Sequence, residues 1–562
     1  MAGNILTPSA IWNNFTIEQI PQAEVVSEKV QDGIMFSYFY LDGREIGQER
    51  VKIYGVMARK VQQTLSPAIL LVSDLDCGFN EGLMLDFAER GYTVLSVDLA
   101  GETDGESRFT IYPNSIHYAN YQVVKDNLYK VDGDAINTCW FEWACVLKYA
   151  FKYLSNQITV TKVGCLGYGE AGTALWQLAG TESELSCAVF ALNAGWNGYR
   201  GINKFGGMVE PQFDDDMYKF IAGIEPQAYA MHVKCPTLML SATNSKLYDC
   251  DRAYDTLSRI ENVRTVMHYS VGCSGKINRE GYLNAVNFFE LFLKKEGAKA
   301  DDFPYETDII CDIKDGKIQV EVTPFLKNII EVELYVAEEN NNPSLRCWQK
   351  FSNTKKDENG VYRFEYSPYP DSGNVTMFAQ AKYKGDLAVG SKIINKKFNK
   401  EDVLFAHKTN ILYSSRIKNA DCTFYSAKQQ EKCRLFTDKK DLVIVKKGPM
   451  NIDGVTCDAG LLTFKLCNKK DKPSDGAMLM FDVYAEKNSE ITVKLIADYF
   501  GQKTEYLVKV NLLGGDVWHN VKLETSRFKT CEGMGLKSFE KIQAVEFSVS
   551  DGEFLINNFL WL

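Results

Sequence analysis

The chain has 562 residues, too many for one hydrophobic core, and this length predicts three or four domains. Hydrophobic residues make up 45% and charged residues 24%, the balance of a globular protein. A formal net charge of −10 argues against a general nucleic-acid or anionic-membrane surface, since both need basic patches.

The opening "MAGNILTPSAIWNNF" has no basic n-region and no apolar h-region, so no signal peptide is expected. No apolar run reaches the length of a bilayer span, and the expected address is cytoplasmic. From 30 to 60, two alternating runs flank Asp42-Gly43, which predicts an antiparallel hairpin turning there. From 67 to 295 the pattern changes. Continuous apolar runs ("PAILLVS", "YTVLSVDLAG", "VTKVGCLGYG", "CAVFALNAG", "CPTLMLSAT", "RTVMHYSVG") are separated by helical stretches at 81–91, 135–154 and 280–295. Such runs predict a mostly parallel sheet covered on both faces. From 305 to 397 the helical signal vanishes, and short strands with turn residues between them predict an immunoglobulin- or fibronectin-like β-sandwich. The stretch 399–562 is again β-rich, after a polar linker "NKKFNKEDV". The expected domains are therefore 1–300, 301–398 and 399–562.

Residues 162–172, "KVGCLGYGEAG", form the outline of a nucleophile elbow, G-x-S-x-G, with Gly169 at the serine position. "AERGYTVLSVDLAG", "RFTIYP", the Trp-rich helix and "CPTLMLSATNS" surround it in order. This ordered set resembles the α/β-hydrolase superfamily, especially its acetyl xylan esterase and dienelactone hydrolase branch. The resemblance implies a doubly wound α/β-hydrolase sheet and a Ser–Asp–His triad in that chain order. It also implies where each member should stand. Gly169 holds the place of the nucleophile, Ser245 that of the acid and Gly275 that of the base. None of these side chains can do the work. Removing one triad member typically costs on the order of 10⁴ in rate. The oxyanion loop "SDLDCG" is acidic, and with Glu170 it would oppose a developing negative charge.

Several remaining residues are candidate substitutes. Asp249 and Asp251 follow the acid position, although a helix N-cap and first turn explain them equally. His268 reads as a strand histidine. Cys165 reads as a packed core thiol. Cys77 and Cys273 sit on loops at the carboxyl edge of the sheet, where open α/β sheets bind ligands, and His117 lies in a rim loop. A thiolate nucleophile would need one of them paired with a base. The acidic loop could instead hold Ca²⁺ or a basic ligand, with a solvated rim the plainer reading. Fifteen cysteines without C-x-x-C spacing read as reduced, mostly buried thiols, and no cofactor or metal is expected.

The last segment, closing on "FLINNFLWL", resembles the jelly-roll carbohydrate-binding modules fused to glycoside-processing enzymes. That resemblance points to Tyr499, Trp518, Asn557 and Asn558 as sugar contacts, against the reading that such aromatics fill the sandwich core. Two functions follow. One is a hydrolase relative without a triad, acting as a binding or assembly protein toward a glycan, a small molecule, a protein partner or another copy of itself. The other is an active carboxylic or acetyl ester hydrolase with a relocated or Cys-based nucleophile.

Overall fold

A computed structural model describes residues 4–62, 64–103, 105–207, 210–296, 302–417, 423–428, 433–474 and 476–562. The amino-terminal half is built on nine strands: β1 (Ala23–Gln31), β2 (Ile34–Ile46), β3 (Glu49–Lys60), β4 (Ser66–Val72), β5 (Thr93–Val97), β6 (Val160–Tyr168), β7 (Cys187–Ala191), β8 (Thr237–Ala242) and β9 (Thr265–Ser270). They form one sheet in the order β1-β2-β3-β5-β4-β6-β7-β8-β9. From β5 to β9 all neighbours are parallel, while β1, β2 and β3 pair antiparallel. This is the expected α/β-hydrolase sheet, with its order reversing at β4 and β5.

Alternation explains why its central strands are apolar throughout. In β4, Leu70 and Val72 face one core with the helices Cys139–Ser155 and Gly172–Ala179. Ile69 and Leu71 face the other core, with Glu81–Glu89 and Arg279–Phe289. A strand buried on both sides has no polar face to show.

The hairpins differ from expectation. Asp42-Gly43 lies inside β2, at a register shift in its pairing with β3, where Arg50 and Lys52 both bind the Asp42 carboxylate. The turn is made at Gly47, φ +63°. A further hairpin precedes it. Asp32 and Gly33, both with positive φ, join β1 to β2 as a two-residue Asp-Gly turn.

Beyond this sheet the chain is antiparallel β. Strands β10 (Asp308–Lys314), β11 (Lys317–Thr323) and β14 (Tyr362–Tyr366) form one small sheet. Strands β12 (Ile329–Glu338), β13 (Gln349–Asn353), β15 (Asn374–Tyr383), β16 (Leu387–Gly390) and β17 (Ile394–Lys397) form the facing one. This proximal sandwich is not a free spacer. Its residues Trp348 and Phe378 join the first hydrolase core, and Val332 and Met377 join the second. Its strand β16 lies against β9, so closely that a side chain on Gly390 would meet the Tyr269 ring at 2.7 Å. The distal sandwich, between Ile411 and Trp561, pairs a six-stranded with a five-stranded sheet around its own core. The expected boundary at 300–301 lies outside the described residues. Among the described residues, no helix is long and apolar enough to cross a membrane.

Candidate functional site at the elbow

The elbow keeps its geometry. Strand β6 ends at Tyr168, Gly169 turns at φ +67°, and the helix Gly172–Ala179 begins three residues later. The turn is braced from β7. Gly169 N–H donates to Ala191 O (3.2 Å), and Asn193 Nδ2 donates to Gly169 O (2.7 Å) and to Thr173 Oγ1 (3.1 Å). Positive φ suits glycine and strains other residues.

The place of the serine is filled from the neighbouring loop. A Cβ on Gly169 would lie 2.2 Å from Cγ and Oδ2 of Asp74. Asp74 Oδ1 accepts the N–H of Glu170 (2.8 Å), of Leu75 (3.0 Å) and, at 3.5 Å, of Ala171. In a working hydrolase, the N–H after the nucleophile and one from the loop after this strand form the oxyanion hole. Here one internal carboxylate takes both donors. Burial, and then the charge of Glu170, push the Asp74 carboxyl up to about 6, and the three N–H groups pull against that. Asp74 is thus largely ionised at neutral pH. The Glu170 carboxylate, whose charge bears on Asp74, has partners of its own. It accepts from the Tyr129 hydroxyl (2.8 Å) and pairs with Arg200, whose guanidinium lies 4.5 Å from the Tyr129 ring centre.

The acid position serves the proximal sandwich. Asn244 Nδ2 donates to Ser344 O (3.3 Å) and Arg346 O (2.7 Å), while Ser245 Oγ accepts from the N–H of Tyr248 (3.1 Å). Asp249 is the N-cap of Cys250–Leu257, accepting from Asp251 and Arg252 N–H and pairing with the Arg252 side chain. Asp251 is held by Arg346 through two bonds, with both side chains 0% exposed. Asp249 is thus engaged as a helix cap and by Arg252.

The base position serves the distal sandwich. Gly275 stands beside Lys276, whose ammonium reaches Asp441 Oδ2 at 3.0 Å, with both side chains buried. Ile277 exchanges backbone hydrogen bonds with Leu435 (2.7 Å) and Thr437 (2.9 Å). Gly272, φ +73°, leaves room for Tyr425, whose ring would sit 2.0 Å from a Cβ there. His268 is buried in β9, with Nδ1 3.3 Å from Ala388 O and Nε2 3.0 Å from Asn278 Oδ1, and burial lowers its pKa from the ordinary imidazole value.

The other substitutes do not converge. Cys77 is joined to Cys433 in a disulfide, so it offers no thiolate, and the expectation of reduced cysteines fails at this pair. Cys273 lines the crevice between the base loop and the distal sandwich, and burial pushes its thiol up to about 12. Cys165 is buried in β6. His117 is exposed on a 3₁₀ turn beside Asn120 and does not line the cleft that Cys77 lines. Among the described residues, no group of three His, Cys, Asp or Glu side chains is placed to hold a metal.

The four suggested sugar contacts are occupied within the distal sandwich. Tyr499 packs edge-on against Phe464 and Phe500. Trp518 Nε1 donates to Pro449 O (3.1 Å). Asn557 is buried and binds Ser415, and Asn558 Nδ2 donates to Asp482 Oδ2 (2.6 Å). Two larger open spaces stand out. A polar cleft of about 730 Å³ beside Asp74 has Tyr38, Tyr54, Phe79, Glu81, Asp98 and Arg108 among its walls. A groove of about 1110 Å³ between the sandwiches brings together Tyr506, Asp498, Gln543 and Lys472.

No protein-family model matches the chain, and no curated protein matches it. Among solved structures it is similar to acetyl xylan esterase 1 from Thermoanaerobacterium sp. JW/SL YS485, at 13% identity and a TM-score of 0.38, over 51% of this chain and 95% of that one. It is also similar to an acetyl xylan esterase from Paenibacillus sp. R4, at 15% identity and a TM-score of 0.35, over 51% and 92%. A third is a dienelactone hydrolase from Klebsiella pneumoniae, at 12% identity and a TM-score of 0.32, over 46% and 98%.

Proposed function

We propose that this chain is a non-catalytic relative of the acetyl xylan esterase-like hydrolases, a binding or assembly protein whose former catalytic loops hold two β-sandwiches against the sheet. The observation that carries the reading is the Asp74 carboxylate on the N–H groups of Leu75 and Glu170. A developing oxyanion would have to displace a negative charge from the donors it needs, while Gly169 offers no atom to attack with. The loops at Ser245 and Gly275 support it, because their polar groups are already spent on Arg346, Ser344 and Asp441. The cleft beside Asp74 and the groove between the sandwiches are the places for a small-molecule or glycan ligand. Protein partners, self-association and a cytoplasmic address belong to the same proposal.

A relocated nucleophile finds little support. Cys77 is bonded, and the raised Cys273 thiol leaves almost no thiolate at neutral pH. The test is labelling with a fluorophosphonate probe. The folded protein is expected to label no more than the heat-unfolded chain. Saturable labelling at one residue, lost on unfolding, would overturn the proposal.

A further inference from the structure

The loop that carries Asp74 also carries the one covalent tie between the hydrolase sheet and the distal sandwich among the described residues. Cys77 and Cys433 lie 356 residues apart in sequence and are bonded. The other cysteines of the described residues are free, most of them buried, with Cys531 exposed. The chain is therefore not one in which oxidation has paired thiols generally. The bonded pair sits at an open surface. Cys77 lines the 730 Å³ cleft, and Cys433 Sγ lies 3.9 Å from Asp76 O. Cys433 is held at φ +70°, a left-handed conformation disfavoured for any residue with a side chain. Two residues further on, Leu435 and Thr437 hold Ile277 through backbone hydrogen bonds that do not involve the sulfurs.

We infer that Cys77–Cys433 is a reversible thiol–disulfide latch, opened by a dithiol reductant, that fixes the Asp74 loop to the distal sandwich. A reductant thiolate attacks Cys77 Sγ from the cleft, forming a mixed disulfide and expelling the Cys433 thiolate, which takes up a proton. The second thiol of the reductant then displaces Cys77, which leaves as its thiolate and is protonated in turn. The protein disulfide gains two electrons and two protons, and the dithiol becomes a disulfide. Opening relieves the left-handed strain at Cys433 and frees residues 73–78, so Asp74 leaves the N–H groups of Leu75 and Glu170 more often. The backbone bridge at Ile277 keeps the sandwich in place while the loop moves. The latch concerns loop mobility, and its test reads no turnover, so its failure would leave the functional proposal standing.

The experiment combines maleimide labelling with amide hydrogen exchange on the full chain, before and after dithiothreitol under native conditions. Reduction is expected to add two maleimide adducts, at Cys77 and Cys433. It is expected to raise exchange at Leu75 and Glu170 at least tenfold, with Ile277 and Thr437 unchanged. Cys77→Ser should show the fast exchange without reductant and no further response. If that variant does not fold, Cys433→Ser serves in its place, and the wild-type comparison needs neither. Labelling of both cysteines before reduction would overturn the latch. So would unchanged exchange at Leu75 and Glu170, or an equal rise at Ile277 and Thr437, which would mean general unfolding.

Discussion

The elbow and the two loops beyond it have parted ways. At the elbow the backbone is kept. Gly169 turns at positive φ between β6 and its helix, braced by Asn193, with the N–H groups of Glu170 and Ala171 still pointing inward. At the acid and base loops little is kept except position. Asn244 and Asp251 bind the proximal sandwich, and Lys276, Ile277 and Gly272 bind the distal one. The difference teaches that backbone tied into a sheet and loops at its edge are held by different things. The elbow is part of the sheet's own hydrogen bonding, through Gly169 N–H to Ala191 O, so the sheet fixes its shape. Loops at the carboxyl edge answer to whatever packs on them, and here that is two β-sandwiches.

Breaking the docking loops should cost most. Asp251→Ala leaves Arg346 buried without its partner, and removing one side of a buried pair costs about 3–5 kcal/mol. Urea unfolding measures this, and replacing both residues with apolar ones of similar size should recover much of the loss. Gly169→Ser should cost about 3 kcal/mol, from left-handed strain and from collision with Asp74, and should give no esterase activity. A Gly169→Ser protein as stable as the parent would mean that Asp74 yields its place easily. Gly272→Ala should cost about 2 kcal/mol for the same two reasons, with Tyr425 as the obstacle, and thermal melts at matched concentration would show it.

An effect of similar size is a pH dependence. Asp74, raised to about 6 from an ordinary 3.8, holds its proton more tightly folded than unfolded. Its contribution is full below pH 4 and is lost as the pH rises through 6. Between pH 4 and pH 8 the wild type should therefore lose about 2 kcal/mol relative to Asp74→Asn, most of what a shift of roughly two pKa units gives at about 1.4 kcal/mol each. Denaturant midpoints at the two pH values measure it, and parallel curves for the two proteins would mean that Asp74 is not buried as described.

Much of this was legible in the amino-acid order, for physical reasons. Runs such as "PAILLVS" must be buried on both faces, so the parallel sheet and its helices follow. Gly169 at the elbow and Asp249 as a helix cap are local features with local signals. What escaped was non-local. Asp74 stood out as an acidic intruder near an oxyanion, but its capture of the oxyanion donors depends on how two loops meet. Cys433 and Arg346 carry no local mark of their partners at Cys77 and Asp251. Asp42-Gly43 carries a turn signal, but β2 runs through a bulge there, and the Asp-Gly pair that does turn is Asp32-Gly33, ten residues earlier. In the distal sandwich, alternation could not tell a core aromatic from an exposed one: Tyr499 packs on Phe464 and Phe500, and Trp518 donates to Pro449 O.

The central claim is that Asp74 occupies the ground on which acyl transfer would run. Hydrolysis of p-nitrophenyl acetate by the purified full chain tests it most directly, with the Asp74→Ala, Cys273→Ser and Asp249→Asn variants alongside. The account predicts a rate linear in ester concentration, no faster than that of the unfolded chain and the same for all four proteins. Saturable turnover by the wild type, abolished by any one of these substitutions, would contradict it.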